Sequence, residues 1–298
     1  MFKSVLIAFS AIFILSLSSY GQLKKFYSVK NESTYDTINF SLKATSGKCY
    51  IKPSFHEDPV TIYGNPEFSH VNPTFYSTIR KRSNYVELNL EDYKKGGLGQ
   101  TISYNMFGAS KESDKNYWKV YLNDEKIYNL NLNYGVGDAN IYLSGIPVSN
   151  LNVETGSADV NIIYEDTISN RSVMDTFFVK VDFGTFITEK INLSRAKYII
   201  ADIGFGNATL GFSDSPLKKC VVNASVGAGN LIINLPKSNT PAIIYFNNSP
   251  LCNISLLQEF EEVDKNVYVN KSYNPSAENL LTFNIDVALG NIVFKYTD

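Results

Sequence analysis

"LNLNYGVGDANIYLSG", residues 130–145, alternates apolar and polar side chains, breaks at Gly135-Val136-Gly137-Asp138, and then resumes the alternation. Period-two alternation on both sides of a short glycine break reads as two half-buried strands joined by a corner. The grammar returns in "LNVETGSADVNII" (151–163), "YIIADIGFGNATLGF" (198–212), "CVVNASVGAGNLIINL" (220–235) and "LTFNIDVALGNIVFKY" (281–296). Looser copies are "INFSLKATSGKCYIKP" (38–53), "FVKVDFGTFITEKINL" (178–193) and the glycine-free "AIIYFNNSPLCNISLL" (242–257).

The corner residues Asp138, Asp159, Asn207, Asn230, Asn253 and Asn291 are separated by 21, 48, 23, 23 and 38 positions. The long step of 48 holds two units, with the 178–193 copy in the gap, and the step of 38 reads as one unit with an insertion. Such a period, with two short strands per unit, predicts an all-β fold: a β-solenoid, or parallel β-helix-like stack. One unit cannot bury its apolar face alone, whereas stacked units share a continuous core. Expected inward residues are Leu130, Leu132, Ile141 and Leu143 in the first clear unit and Leu151, Val153, Val160 and Ile162 in the next. The series runs on to Phe283, Ile285, Val287, Ile292 and Phe294 in the last. Tyr134, Tyr142, Asn131, Asn133, Asn152 and Asn161 are expected to face outward. Gly135, Gly137, Gly156, Gly204, Gly206, Gly227, Gly229 and Gly290 serve as structural corners, where a missing Cβ admits positive φ or close packing of the turn. The competing architecture is a β-sandwich of hairpins, with turn signals every 8–12 residues; the pattern fits it only in part.

Residues 54–129 interrupt the grammar, although "NYVELNLED" and "YWKVYLNDEKIY" still read as strands. The expected organisation is a signal peptide over 1–21, a β-rich segment over 22–125 containing a first unit near 38–53, and a β-solenoid domain over 126–298. "SLLQEFEEVDKN" (255–266) is the one short helix candidate.

Residues 1–21 have the build of a secretory signal: Lys3, then an apolar run from Val5 to Leu17, then Ser19 and Gly21 at −3 and −1 of a cleavage before Gln22. That run is shorter than the roughly 20 residues needed to span a bilayer, and no later run is as apolar. The expected location is therefore exported: periplasm, cell surface or medium. Of 298 residues, 44% are apolar and 19% charged, enough for a substantial core. A net charge of −2 gives no drive toward nucleic acid. Three cysteines, Cys49, Cys220 and Cys252, exclude a complete disulfide framework in an exported chain. The stacked register also keeps Cys220 and Cys252 too far apart to bridge.

The glycine corners are not nucleotide loops. A dinucleotide fingerprint needs a third glycine and a following helix, and here an acidic residue or asparagine and a strand follow. A calcium β-roll needs a nine-residue period. Asp138 and Asp159 would nonetheless stack on adjacent units, and two carboxylates so placed require solvation or a bridging cation. The asparagines of the same column could form an amide ladder. No G-x-S-x-G is present; "SPLK" (215–218) lacks the companion motifs of a serine–lysine enzyme. The two histidines, His56 and His70, lie in loop-like sequence, and "IRKR" (79–82) and "EFEEVD" (259–264) read as solvated faces. No catalytic, cofactor-binding or metal-ligating set is expected.

"YGVGDANIYLSGIPVSNLNVETGSADVNI" and "NASVGAGNLIINLP" resemble the bacterial toast-rack family of candidate adhesins, which is related to the C-terminal part of LiaF-type envelope proteins. The resemblance covers about residues 126–298, with 38–53 as an outlying unit. "SSYGQ" and the Asn- and Lys-rich composition resemble exported proteins of Bacteroidota. The resemblance implies an exported β-solenoid with no catalytic residues; unlike the LiaF type, this chain has no N-terminal set of membrane helices. Two functions follow as expectations: a non-catalytic envelope protein that binds a surface protein or glycan, or a carbohydrate-active enzyme on a β-helix. "DTI" at 36–38 and 166–168 also resembles an O-glycosylation signal of Bacteroidota.

Overall fold

The computed structural model describes residues 24–65, 73–91, 117–165, 167–237, 240–248 and 250–297. The signal segment, His70 and Asp166 lie outside these residues. Two large sheets face each other, one of 11 and one of 12 strands, and each contains nine strands in parallel register. The chain winds between them as a solenoid, so the solenoid reading holds.

Each rung places one strand in the 12-stranded sheet and the next in the 11-stranded sheet, joined by a three-residue corner in seven of the nine rungs and separated by residues 249–252 in β18–β19 and 91–116 in β6–β7. The rungs are β2 (Thr37–Ala44) with β3 (Lys48–Pro53), β6 (Ser83–Leu90) with β7 (Tyr117–Leu122), and β8 (Ile127–Tyr134) with β9 (Asp138–Tyr142). Next come β10 (Val148–Thr155) with β11 (Asp159–Ile163), β12 (Met174–Val181) with β13 (Thr185–Thr188), and β14 (Ala196–Ile203) with β15 (Asn207–Gly211). The last are β16 (Cys220–Val226) with β17 (Asn230–Leu235), β18 (Ala242–Asn248) with β19 (Asn253–Ser255), and β22 (Leu281–Val287) with β23 (Asn291–Tyr296). Every inward residue named from the sequence is buried, from Leu130 at 2% exposed to Phe294 at 2%. Tyr134 is a correction: its ring is 3% exposed, because the period-two count along β8 aligns it with Tyr128, Leu130 and Leu132 on the core side.

Stacking order departs from chain order at both ends. The β2–β3 rung pairs with β8–β9, and β6–β7 lies outside it. At the far end β22–β23 stacks on β16–β17, and β18–β19 lies outside. The step of 38 between Asn253 and Asn291 is thus a return inward rather than an insertion within one rung. The segment that interrupts the repeat supplies the end structures. Antiparallel β4 (Val60–Asn65) and β1 (Lys25–Val29) extend the 11-stranded sheet past β7, and β5 (Thr74–Arg80) folds back on β6. At the other end β21 (Val267–Asn270) and β20 (Phe260–Asp264) fold back antiparallel on β18, in place of the helix expected over 255–266. The Glu-rich run favoured a helix by propensity alone; pairing with β18 satisfies backbone groups that a helix there would leave open at the sheet edge.

The corner explains the glycines. The amide of Asn230 donates to the Gly206 carbonyl at 3.0 Å, that of Asn291 to Gly229 at 3.0 Å, and that of Asn253 to Gly290 at 3.1 Å. At two of these corners the stacking leaves no room for a side chain: a Cβ on Gly229 would lie 2.3 Å from the Gly206 oxygen, and one on Gly290 would lie 2.4 Å from the Gly229 oxygen. Neither glycine has a positive φ, so close approach and not chain reversal sets the requirement. Ala158 and Cys252 hold the same position in their rungs, where Asp159 and Asn253 still reach the carbonyls of Gly137 and Gly290. The remaining corner amides also donate to the preceding rung, for example Gly227 to Ile203 and Ala228 to Gly204, both at 2.8 Å. The ladder therefore runs unbroken from one sheet into the other.

Inside, Phe177 and Phe186 meet edge to face at 6.1 Å in one rung; in the next rung Ala208 follows Phe186 in its column and Ala201 follows Val179. Thr188 stands in the column of Ile162 and Leu210, fully buried, and its hydroxyl has no partner.

Three substitutions test this packing. Gly229→Ala should lower unfolding stability by about 2 kcal/mol through overpacking, while Ala228→Ser, on the exposed side of the same corner, should change it by less than about 0.5 kcal/mol. Thr188→Val removes a buried unpaired hydroxyl at constant volume and should raise stability by about 1 kcal/mol. Urea unfolding followed by tyrosine fluorescence or circular dichroism measures all three.

Candidate binding surface

The sequence-derived corner residues fall into three columns. Asp138, Asp159, Asn207, Asn230, Asn291 and Asn253 stand side by side in that order, with Thr185 between Asp159 and Asn207. Gly137, Gly206, Gly229 and Gly290 fill the preceding column together with Ala158 and Gly184, and Gly135, Gly156, Gly204 and Gly227 start the corners. Gly184 and Thr185 were missed as corner residues; "DFGT" against "GFGN" is the signal that could have shown them. Part of the corner column is an amide ladder: Asn291 Nδ2 donates to Asn230 Oδ1 at 2.6 Å, and Asn230 Nδ2 donates to Asn207 Oδ1 at 2.7 Å. Asp138 has Asp159 on one side and Lys48 on the other. The cation next to it offsets part of the repulsion between the two carboxylates. Among the described residues, no three His, Cys, Asp or Glu side chains come together as a metal site.

The same side-chain chemistry covers the outer face of the 12-stranded sheet. Asn150 donates to Asn129 at 3.0 Å and Asn129 to Asn39 at 2.9 Å; in the next row, Asn152 donates to Asn131 at 2.8 Å. In-register parallel strands bring identical residues to one row, which suits an amide because it both donates and accepts. The second row stops at Asn152, where Phe178 follows, and Asn152 Oδ1 is left without a partner.

These ladders form the floor of a groove of about 600 Å³. Its wall comes from the β5–β6 hairpin. Register places Tyr76 beside Glu87 and Thr78 beside Tyr85, all on the outward face. The Arg80 guanidinium lies 5.7 Å from the centre of the Tyr85 ring. Tyr76 and Tyr85 are 62% and 48% exposed, large aromatic surfaces left to solvent beside fixed amides. Glu87 is the one carboxylate among the lining residues and Arg80 the one cation. Within "IRKR", Arg80 therefore faces the groove, Lys81 turns the hairpin at φ 56°, and Arg82 pairs with Asp36.

Ser215, Lys218, His56 and the three cysteines do not line this groove. Ser215 Oγ shares a hydrogen bond with Thr240 Oγ1 at 2.5 Å, while the Lys218 ammonium bonds Glu278 at 3.2 Å. His56 is exposed, with its ring 6.2 Å from that of Tyr121. All three cysteines are free thiols. Burial pushes Cys49 and Cys220 up to about 12, since a thiolate between the sheets would lose its hydration. Cys252 is half-buried and lies just before β19, in the other sheet from Cys220.

Residues 75–176 match the family model for the N-terminal domain of toast_rack, DUF2154. The toast-rack resemblance is thereby shown, and the matched span starts within the segment that interrupts the repeat. No curated protein matches the chain significantly. Among solved structures, a candidate cell adhesion protein from Clostridium sporogenes is 17% identical, with 92% of this chain and 99% of that chain covered and a TM-score of 0.45. A candidate adhesin from Bacteroides fragilis is 13% identical over 93% and 98% of the two chains, with a TM-score of 0.39. A candidate lipid binding protein from Parabacteroides distasonis is 12% identical over 92% and 96%, with a TM-score of 0.28.

Thiol chemistry offers a check on the burial. At pH 8 a thiol reagent should modify Cys252 within minutes and leave Cys49 and Cys220 unmodified until denaturant is added, because only the thiolate reacts. Mass spectrometry of the labelled peptides distinguishes the three.

Proposed function

We propose that the protein is an exported, non-catalytic adhesin-like binding protein and that the asparagine groove of the 12-stranded sheet receives a neutral glycan. One observation carries this reading: fixed amide ladders lie beside exposed Tyr76 and Tyr85 in one groove. Aromatic faces supply contact area at low conformational cost, and amides pair with hydroxyl groups in either direction. The alternative, a carbohydrate-active enzyme, finds less support. Glycoside hydrolysis by the common routes uses two carboxyl groups across the scissile bond, and Glu87 stands alone in the groove lining.

The name of the matched toast-rack domain and the candidate adhesins among the structural relatives agree with this reading. Export rests on the signal-like residues 1–21. No helix among the described residues is long and apolar enough to cross a membrane. We also propose that the mature chain divides into segments 22–125 and 126–298, which meet in one stack where β2–β3 pairs with β8–β9. Of the two "DTI" stretches, Thr167 is exposed and suited to glycosylation, whereas Thr37 is half-buried within β2.

A glycan array on the purified mature protein, followed by calorimetry on the best ligand, tests the reading. Tyr85→Ala should weaken that ligand about tenfold or more without changing the unfolding midpoint. Release of reducing ends or unsaturated products from the same ligand would overturn the non-catalytic assignment.

A further inference from the structure

The opposite face of the molecule carries a second surface of different chemistry. Along β7, Tyr117, Lys119 and Tyr121 point outward; along β3, Lys48, Tyr50 and Lys52 do. The parallel register sets Tyr117 beside Lys48, Lys119 beside Tyr50, and Tyr121 beside Lys52, a checkerboard of rings and cations. On the other side of β7, β4 adds Tyr63 next to Lys119. The pieces touch: Lys119 Nζ is 5.1 Å from the Tyr117 ring centre, Lys52 Nζ is 5.1 Å from that of Tyr142, and Tyr63 meets Tyr121 edge to face at 5.8 Å.

The face is concave at this point. A cavity of about 400 Å³ opens between Lys24, Lys25, Lys119, Tyr63, Tyr117 and Tyr121, with His56 at its rim. No carboxylate lines it. Of the bordering acids, Asp58 bonds Lys30 at 3.4 Å on the far side of His56, Asp138 stands beside Lys48 in the register, and Glu57 follows His56 outside the cavity lining. Among the described residues, Lys24, Lys25, Lys52 and Lys119 form no ion pair. In a chain of net charge −2, this is a local concentration of unpaired positive charge. A cation resting on an aromatic face keeps donors directed away from the ring.

We infer that this face is a binding site for an acidic polysaccharide, a uronate-containing chain whose carboxylates meet the lysines while its sugar rings stack on the tyrosines. Charge complementarity fixes the sign of the ligand. The lattice fixes its form: four strands from β4 to β9 span about 14 Å at ~4.8 Å per strand, too wide for one small anion and suited to a run of sugar units. Alternating charge and ring on the protein matches alternating carboxylate and apolar ring face on the polymer. The site shares no residue with the asparagine groove and does not rest on the function proposed for it.

Polygalacturonate is the probe, titrated into the full mature chain by calorimetry or affinity electrophoresis, with neutral dextran and phosphatidylglycerol vesicles as the other arms. Polygalacturonate should bind, dextran should not, and binding should weaken as NaCl rises from about 50 to 500 mM, as screening requires. Lys52→Glu with Lys119→Glu should reduce binding by more than about tenfold, Tyr121→Ala should also weaken it, and Lys119→Arg should preserve it. Tyr85→Ala, in the groove, should leave it unchanged. If the double charge reversal does not fold, Lys119→Gln and the salt dependence carry the test. Binding that survives charge reversal, equal binding of dextran, or binding to the vesicles with none to polygalacturonate would overturn the inference.

Discussion

The hydrogen bond from a corner amide to the carbonyl of the glycine on the rung below holds this architecture together. A two-sheet stack turns the chain between sheets twice per rung, and an ordinary turn at the corner would leave backbone groups unpaired at every level. Here the turn is itself a ladder. Its cost is steric: where the carbonyl of Gly206 accepts from Asn230, a Cβ on Gly229 above it would lie 2.3 Å from that oxygen. That one contact sets the glycine column, and the glycine column fixes the register in which Asp138, Asp159, Asn207, Asn230 and Asn291 align. Register then decides which side chains face the core, since a slip of one residue would turn every inward residue outward.

A stack closed by such ladders still has two ends, and an open end is a template for pairing with another chain. Both ends are closed by the same topological device. The chain places one rung out of order and fills the space with antiparallel strands: β4, β1 and β5 at one end, β21 and β20 at the other. Stacking of Tyr27 on Phe75, with ring centres 4.9 Å apart, joins strands of the two sheets over the first end. At the far edge of the 11-stranded sheet, β19 spans three residues, too short to recruit a partner strand effectively.

The repeat was legible because one constraint recurs in it. Most corners show a glycine, and the strands of both sheets show alternation, so the fold and the inward residues of the regular rungs could be read from spacing alone. The reading failed where a residue's role depends on a neighbour distant in the chain. Nothing local to "NYVELNLED" reveals that it stacks on residues 37–44, and the acidic run near residue 260 becomes a strand only because β18 offers an edge. Tyr134 was misplaced for a smaller reason: a tyrosine beside a glycine corner looks exposed unless the alternation is counted from the strand start. The groove residues Tyr76, Arg80 and Tyr85 could not be joined to Asn39, Asn129 and Asn150 before the exchanged order of the rungs was known.

Both candidate surfaces lie where the repetition is interrupted, and the physics of stacking accounts for it. In a regular stack the outward rows repeat from rung to rung, which favours side chains that tolerate identical neighbours: asparagine in ladders, threonine, serine. Like charges or isolated large rings repeated in one row would repel or pack poorly. The closing strands escape that restriction because each occurs once. With the end rung β6–β7 that they cover, they bring Tyr76, Arg80 and Tyr85 against the asparagine rows on one face, and Tyr63 and Lys119 against Tyr50 on the other. The repeats supply rigidity and a flat amide floor; the exceptions at the capped end supply shape and charge. A solenoid of this kind therefore gains recognition chemistry from the elements that stop it from growing.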